Sequence, residues 1–441
     1  MLERKIESKI RDYFFSNSNK IMIIDGARQV GKSYIIRHVG QSYFDGYIEI
    51  NLLEDSLKDK LFEKVNSVND FYFQLSMIAG DKMVDKEHTL VFLDEIQVYP
   101  HLLTLLKFLK QDDKFTYIAS GSLLGVTLAN TSSIPIGSID VVHMYPLDFE
   151  EFLLANGFNN YAINSLISRF KTLDSLDENT HNKMMDMFKK YLIVGGLPDA
   201  VNAFVKTQNI HLVREIHEQI HTYYGLDASK YDKENKLKIK RIYDMIPSNL
   251  ENKKKRVVVQ DIENVKGKKF SQYQDEFDYL INSGIALDVK AISNPTFPLI
   301  QSSGKNLLKL YMSDIGILTN ILYKSNIKAI MDDVKSINLG SVYENVVASE
   351  LKAHGFNLFY YDNRNRGEVD FLIDDFEDLT IVPIEVKSGK DYTVHSALSN
   401  FVANKEYNIK EAYVLSNERK MFKKGKIIYL PIYMVAFFES K

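Results

Sequence analysis

From residue 21 to about 150, short apolar runs alternate with helical stretches: IMIID, GYIEINL, TLVFLD, FTYIASGS and SIDVVHMY. Buried runs of this kind, separated by helices, predict a mostly parallel sheet with helices on both faces. Residues 1–20 read as a lead-in helix. From about 161 to 230 the pattern is helical, broken at Gly195-Gly196-Leu197-Pro198. That stretch reads as a helix breaker rather than a second phosphate loop, because no lysine–hydroxyl pair follows it. Over 231–325 a basic helical stretch leads to a second helix (SQYQDEFDYLINSG) and a hairpin (IALDVKAI, then LLKLYMSD), the order of a winged helix. From 326 a helix precedes a strand-rich segment. Four units are therefore expected: 1–160, 161–230, 231–325 and 326–441.

A chain of 441 residues has room for about two to four domains. Hydrophobic residues at 45% and charged residues at 26% mark a globular chain rather than a disordered one. The absence of cysteine excludes disulfides and thiolate metal sites, and fits a reducing compartment. The N-terminus, MLERKIESKIRDYF, lacks the apolar core of a secretory signal, and LPIYMVAFF is too short to span a bilayer. The expectation is a soluble cytoplasmic protein with no membrane partner.

DGARQVGKS contains Gly26-x-x-x-x-Gly31-Lys32-Ser33 between an apolar strand and the helical SYIIRHVG. Strand, glycine-rich loop, lysine, hydroxyl and helix in this order predict a phosphate-binding loop. Backbone N–H groups of Gly26, Ala27, Arg28, Gln29, Val30, Gly31, Lys32, Ser33 and Tyr34 would surround the phosphates of ATP or ADP. Lys32 would reach the β- and γ-phosphates and Ser33 would ligate Mg²⁺. In TLVFLDEIQ, Asp94 falls at the end of a strand, placed to hold Mg²⁺ through water. Glu95 beside it is a candidate base for the attacking water. FTYIASGS offers Ser120, with Ser122 as the alternative, to sense the γ-phosphate. Arg28, Arg169, Arg214 and Arg241 are candidates for an arginine against the developing charge, and the residues alone do not choose among them.

GEVDFLIDDFEDLTIVPIEVKSGK, residues 367–390, poses a second chemistry. Side chains alternate along a strand, so Glu368 and Asp370 share one face, as do Glu385 and Lys387. Were the two strands paired, Asp370 and Glu385 could converge on one Mg²⁺, with Lys387 beside an attacked phosphate. Glu344 lies on the apolar stripe of SVYENVVASEL and is a third candidate ligand. Ser341-x-x-Glu344 is also a capping box, which would make Glu344 structural. Residues 230–270 carry thirteen Lys or Arg against six Asp or Glu, in the clusters KLKIKR, KKKR and KGKK. DNA binding through 236–269 would use these phosphate contacts. Against it, the second helix presents Asp275, Glu276 and Asp278, and a winged helix equally serves protein contacts.

The stretches GARQVGKS, VFLDEIQ, IASGSLLG, YPLDFEEFL, YLIVGGLPDAV, LYMSDIGIL, GSVYENVVASEL, EVDFLI and PIEVKSG, in that order, resemble the prokaryotic AAA-type ATPases that carry a C-terminal domain related in fold to restriction-type nucleases. The resemblance implies an α/β fold: a P-loop parallel-sheet ATPase core, a helical lid, a winged-helix middle domain and an α/β nuclease-like C-terminal domain. It also favours the metal-ligand reading of Glu344, Asp370 and Glu385, with Lys387 catalytic. Members of that family often have Gly-Arg where this chain has Gly137-Ser138, so hydrolysis is expected to be slow or to use another arginine. The implied activity is Mg²⁺-dependent ATP hydrolysis coupled to a DNA-associated, nuclease-like region. The alternative is a nucleotide-dependent switch or scaffold that works through protein contacts or as a homo-oligomer, with an inactive nuclease fold.

Overall fold

A computed structural model describes residues 2–440 except 17, 126–136, 232–235, 253–254, 303–306, 333–338 and 390–391. They form two compact units: residues 3–145 with 282–284, and 146–281 with 285–440, which also takes Leu2.

The first unit is built on five strands: β1 (Ile21–Asp25), β2 (Gly46–Asn51), β3 (Thr89–Asp94), β4 (Thr116–Gly121) and β5 (Ile139–His143). Their order is β2-β3-β4-β1-β5, and every neighbouring pair is parallel. All residues of β1 and β3 are buried, as a sheet covered on both faces requires. Ile21, Ile23, Val91 and Leu93 pack with Leu102, Leu106 and Leu109 of the helix Pro100–Asp112 in its core. The predicted parallel α/β core is therefore present. The strand order sets the C-terminal ends of β3, β4 and β1 side by side, where ligands bind in such sheets.

The second unit carries an eight-stranded mixed sheet in the order β12-β13-β11-β10-β9-β8-β6-β7. Its strands are β6 (Ala286–Ile292), β7 (Leu308–Met312), β8 (Phe359–Asn363), β9 (Gly367–Asp375), β10 (Thr380–Lys387), β11 (Ala412–Ser416), β12 (Phe422–Lys424) and β13 (Ile427–Pro431). The hairpin β6–β7, anticipated as a wing, is not free-standing. It closes one edge of this sheet, with β6 pairing parallel to β8. Burial explains the arrangement: every residue of β7 and five of the seven in β6 are buried, so the hairpin needs cover that a projecting wing would lack.

The helical part of this unit bears out the glycine break and adds a cap. The helix Glu178–Val194 ends at Gly195, whose φ of 69° needs glycine, and the next helix starts at Pro198. Asp148 caps the helix Phe149–Ala155 reciprocally with Glu151, at 2.9 and 3.2 Å. The capping box expected at Ser341 is absent. The helix Gly340–Ala353 already begins at Gly340, and the buried Ser341 hydroxyl donates to Glu251 instead. Among the described residues no helix is long and apolar enough to cross a membrane.

Candidate functional site

The loop between β1 and the helix Lys32–Tyr43 is shaped by backbone angles that ordinary residues disfavour. Gly26 has φ 144° and Gly31 φ 96°, while Gln29 is held at φ 67°. A β-carbon at Gly26 would lie 2.3 Å from the Met144 carbonyl oxygen, so glycine is needed for space as well as for angle. Lys32 opens a twelve-residue helix, whose N-terminal N–H groups face the loop.

The Lys32 ammonium is buried and donates to the carbonyls of Gly26 and Ala27 at 2.9 and 2.8 Å. Burial lowers its pKa, and the carboxylates of Glu95, Asp25 and Asp94 oppose that shift. One oxygen of Asp25, at the end of β1, is buried without a hydrogen-bond partner among the described residues. The Ser33 hydroxyl donates to both Asp94 oxygens, at 2.9 and 3.0 Å. Ser120, fully buried on β4, also donates to Asp94. Burial raises the Asp94 pKa, and the Ser120 and Ser33 hydrogen bonds pull it down. Lysine, hydroxyl, acid and serine, read from three separate stretches, thus meet at one strand end. A Lys–Ser–Asp set beside glycine-shaped backbone fits a nucleoside triphosphate with Mg²⁺.

Glu95 has φ 58° and ψ 45°, a left-handed conformation that costs a non-glycine residue about 1 kcal/mol or more. Its carboxylate accepts from Gln97 and from Ser122, the latter at 3.3 Å. Ser122 also accepts from Arg28 Nε at 3.4 Å. The two serines of FTYIASGS therefore divide their work: Ser120 meets the strand-end acid and Ser122 meets the candidate base. Gln97 and Asn51 are additions that the sequence reading missed. Asn51 Nδ2 reaches Asp94 at 3.3 Å while its Oδ1 caps the helix Leu52–Leu57. A glutamine two residues beyond the acidic pair was the only hint of the first, and nothing local marked the second. Among the other arginines, Arg214 is buried and donates to the carbonyls of Ile193 and Gly316, and Arg169 pairs with Asp174 at 2.6 Å.

The second unit brings the other set together on β9, β10 and the helix Gly340–Ala353. Asp370 accepts from the Val386 N–H at 2.8 Å, so its strand does lie beside that of Glu385. Lys387 donates to Glu385 at 2.7 Å. The other Glu385 oxygen is buried with no hydrogen-bond partner among the described residues. Glu344 is buried, as its place on an apolar stripe implied, and accepts from Tyr311 at 3.1 Å and from Lys255.

Lys309, in the middle of β7, was not singled out from the sequence. It is completely buried, 2.5 Å from Glu368 and 4.5 Å from the centre of the Tyr360 ring. Burial would lower its pKa, but Glu344, Glu368 and Asp370 outweigh this and hold it charged. Burial, then Glu385 and Glu344, push Asp370 well above the usual carboxylate range, and burial raises Glu385. Among the described residues no group of three or more His, Asp or Glu side chains is arranged to hold a metal ion. The expected ligands are gathered, yet as arranged they do not fit one, because ammonium groups from Lys255, Lys309 and Lys387 stand among them.

The first unit sets a glycine-shaped loop, a buried lysine and a Ser–Asp pair at the open end of a parallel sheet, the arrangement of a phosphate-binding loop. Residues 18–153 match the AAA domain family. Residues 185–328 and 339–435 each match a domain of unknown function, DUF8612 and DUF4143 respectively. No match was found among curated proteins. Among solved structures, the Walker-type ATPase of Pyrococcus abyssi is similar at 14% identity, over 72% of this chain and 95% of its own, with a TM-score of 0.44. Cdc6p from Pyrobaculum aerophilum is 14% identical over 76% and 96%, with a TM-score of 0.26. The Aeropyrum pernix Orc1 protein, solved in complex with DNA, is 11% identical over 74% and 94%, with a TM-score of 0.31.

Proposed function

We propose that this chain is a Mg²⁺-dependent ATPase whose nucleotide cycle controls a nuclease-like C-terminal region. The observation that carries the ATPase reading is the convergence of Ser33 and Ser120 on Asp94, next to the buried Lys32 ammonium. Bound ATP with Mg²⁺ supplies the scissile phosphoanhydride and the charge that activates it. Lys32 exchanges its carbonyl partners for phosphate oxygens, and Ser33 and Asp94 are the metal-holding pair. Glu95, oriented by Gln97 and Ser122, takes the proton of the attacking water. Ser120 links the end of β4 to the same acid, so a change at Asp94 reaches that strand directly.

Steady-state hydrolysis tests this reading. The wild-type chain should turn over ATP only with a divalent cation. Lys32→Ala and Asp94→Asn should each lower turnover by about 10²–10³. Turnover unchanged in both variants would refute the assignment.

A second reading, a nucleotide-dependent switch acting through protein contacts, is favoured by one observation: much of the basic stretch is neutralised internally. Lys240 pairs with Asp244, Lys255 with Glu344, Arg256 with Asp362 at 3.6 Å and Lys268 with Glu263 at 3.1 Å. The two readings separate when ATPase rates are compared with and without duplex DNA and Mn²⁺-dependent cleavage is assayed in parallel. Stimulation or cutting supports the first, and indifference in both supports the second.

A further inference from the structure

The strands β6, β8 and β9 lie side by side in the sheet of the second unit, and they line an open pocket of about 330 Å³. The register explains its lining. Lys290 stands opposite Phe359, and Phe359 opposite Leu372, so the three side chains share a face. Asp288 and Asp374, each two residues along its strand, join them there. Phe359 is buried and supplies an apolar floor, while Ile300 and Phe376 stand at the rim, exposed to 60% and 59%. The Phe376 ring packs edge-on against Phe297 with centres 5.6 Å apart, which holds the rim in place.

Charge is divided across this pocket. Lys352 donates to Asp288 at 2.8 Å and both side chains are largely buried, so that pair is neutral by itself. Lys290 reaches only the second Asp288 oxygen, at 3.8 Å, too far for a hydrogen bond. Its ammonium is therefore a spare positive charge on one side. On the other side, Asp374 accepts from the Leu299 N–H, its two oxygens at 3.0 and 3.3 Å, and pairs with no cation among the described residues. Burial raises its pKa, and that hydrogen bond pulls it down. β6 and β9 flank β8, which sets their backbones about 10 Å apart and leaves room between the two charges for a small molecule. A lone anion would satisfy Lys290 and be repelled by Asp374, and a lone cation would do the reverse. A wholly apolar guest would take water from both charges and return nothing. An ammonium, a carboxylate and an apolar side chain in one molecule answer all three parts of the lining. From this complementarity we infer that the pocket binds a small zwitterion of that kind, an apolar α-amino acid or a short peptide with free ends, its ammonium on Asp374 and its carboxylate on Lys290. The site lies wholly within the second unit and rests on neither the nucleotide nor the nuclease-like reading.

Calorimetry on the full chain without nucleotide tests it, with L-leucine and leucyl-leucine as probes. The tighter of the two identifies the source, free amino acid or peptide. Blocking either end of that probe, by N-acetylation or by amidation, should weaken it about tenfold or more. Asp374→Asn, which keeps an acceptor for the Leu299 N–H, should weaken the free probe by a similar factor. It should leave the N-acetyl form unchanged, because acetylation has already removed that contact. Lys290→Gln, at a half-exposed side chain, should do the same with respect to the amidated form. Phe376→Ala should weaken every form. No heat from either probe at millimolar concentration, blocked probes that bind as tightly as free ones, or full affinity in both charge variants would each overturn the zwitterion site.

Discussion

Glu95 shows best how a single residue is prepared for chemistry. Its left-handed backbone and its two hydrogen-bond partners fix the carboxylate beside Asp94 and Lys32. A base held in this way should be separable from nucleotide affinity. Glu95→Gln should keep ATP binding within a few-fold while lowering kcat by about 10²–10⁴. Gln97→Ala should lower kcat by a smaller factor, about tenfold, with KM little changed, because only orientation is lost. Calorimetric binding run beside steady-state kinetics distinguishes these outcomes. A matched fall in affinity for both variants would place Glu95 in the binding set instead. Lys32, Ser33, Asp94 and Glu95 were legible in the sequence because a phosphate loop is local: its chemistry lies within a few residues of chain. Lys255 and Lys309 were not, because each is defined by an acid on another element, 89 and 59 residues away for their closest pairs.

At the scale of elements, Asp314 joins two. It caps the helix Ile315–Tyr323 through the Ile317 N–H at 3.0 Å and also accepts from Gly196 N–H, at 2.7 Å, in the glycine turn after Val194. A β-carbon at Gly195 would lie 2.3 Å from the Asp314 carboxylate, so the turn and the acid fit only because that residue is glycine. Burial raises the Asp314 pKa from 3.8 to about 6, against the pull of hydrogen bonds from Gly196, Ile317, Gly316 and Leu197. The folded chain then holds this proton more tightly than the unfolded one. Its contribution is full below about pH 4 and is lost as pH rises to about 6. His217, which accepts no proton readily in its buried place, has its pKa lowered from 6.5 to about 3 by burial and by Arg214. Its contribution runs the other way, present above about pH 6.5 and lost as pH falls toward 3. The two slopes oppose each other between pH 4 and 6. Asp314→Asn removes one of them: relative to wild type, the variant should gain stability across that window by up to about 3 kcal/mol and stay level above it. Urea melts at four pH values from 4 to 7 measure the difference. A flat difference would show that Asp314 titrates as in the unfolded chain. The glycine break was readable from sequence because turns use short-range residue preferences. The partner of β6 was not: a hairpin is a local pattern, whereas its parallel pairing with β8 joins segments about 70 residues apart.

For the whole molecule, charge balance decides what the basic middle can do. Net charge is −3, and the excess of Lys and Arg over 230–270 looked like a phosphate-binding surface. Folding spends much of that excess on carboxylates: Lys240, Lys255, Arg256 and Lys268 all have acidic partners in the same unit. Lys253 and Lys254 lie outside the described residues, while Arg241, Lys266 and Lys269 are exposed. A count of basic residues along the chain therefore overstates the phosphate contacts available, because it cannot see which side chains turn toward acids on the helix Gly340–Ala353 and on β8. Each engaged phosphate contributes about −0.9 to the slope of log affinity against log salt. A surface of three such residues predicts a slope of about −3, far shallower than the roughly −12 that all thirteen would give. Titrating a short duplex at several salt concentrations reads this slope directly. The Lys266→Ala, Lys269→Ala double variant should reduce its magnitude by about 2. A slope near zero in the wild-type chain would remove DNA from the partners of this fold and leave the protein-contact switch.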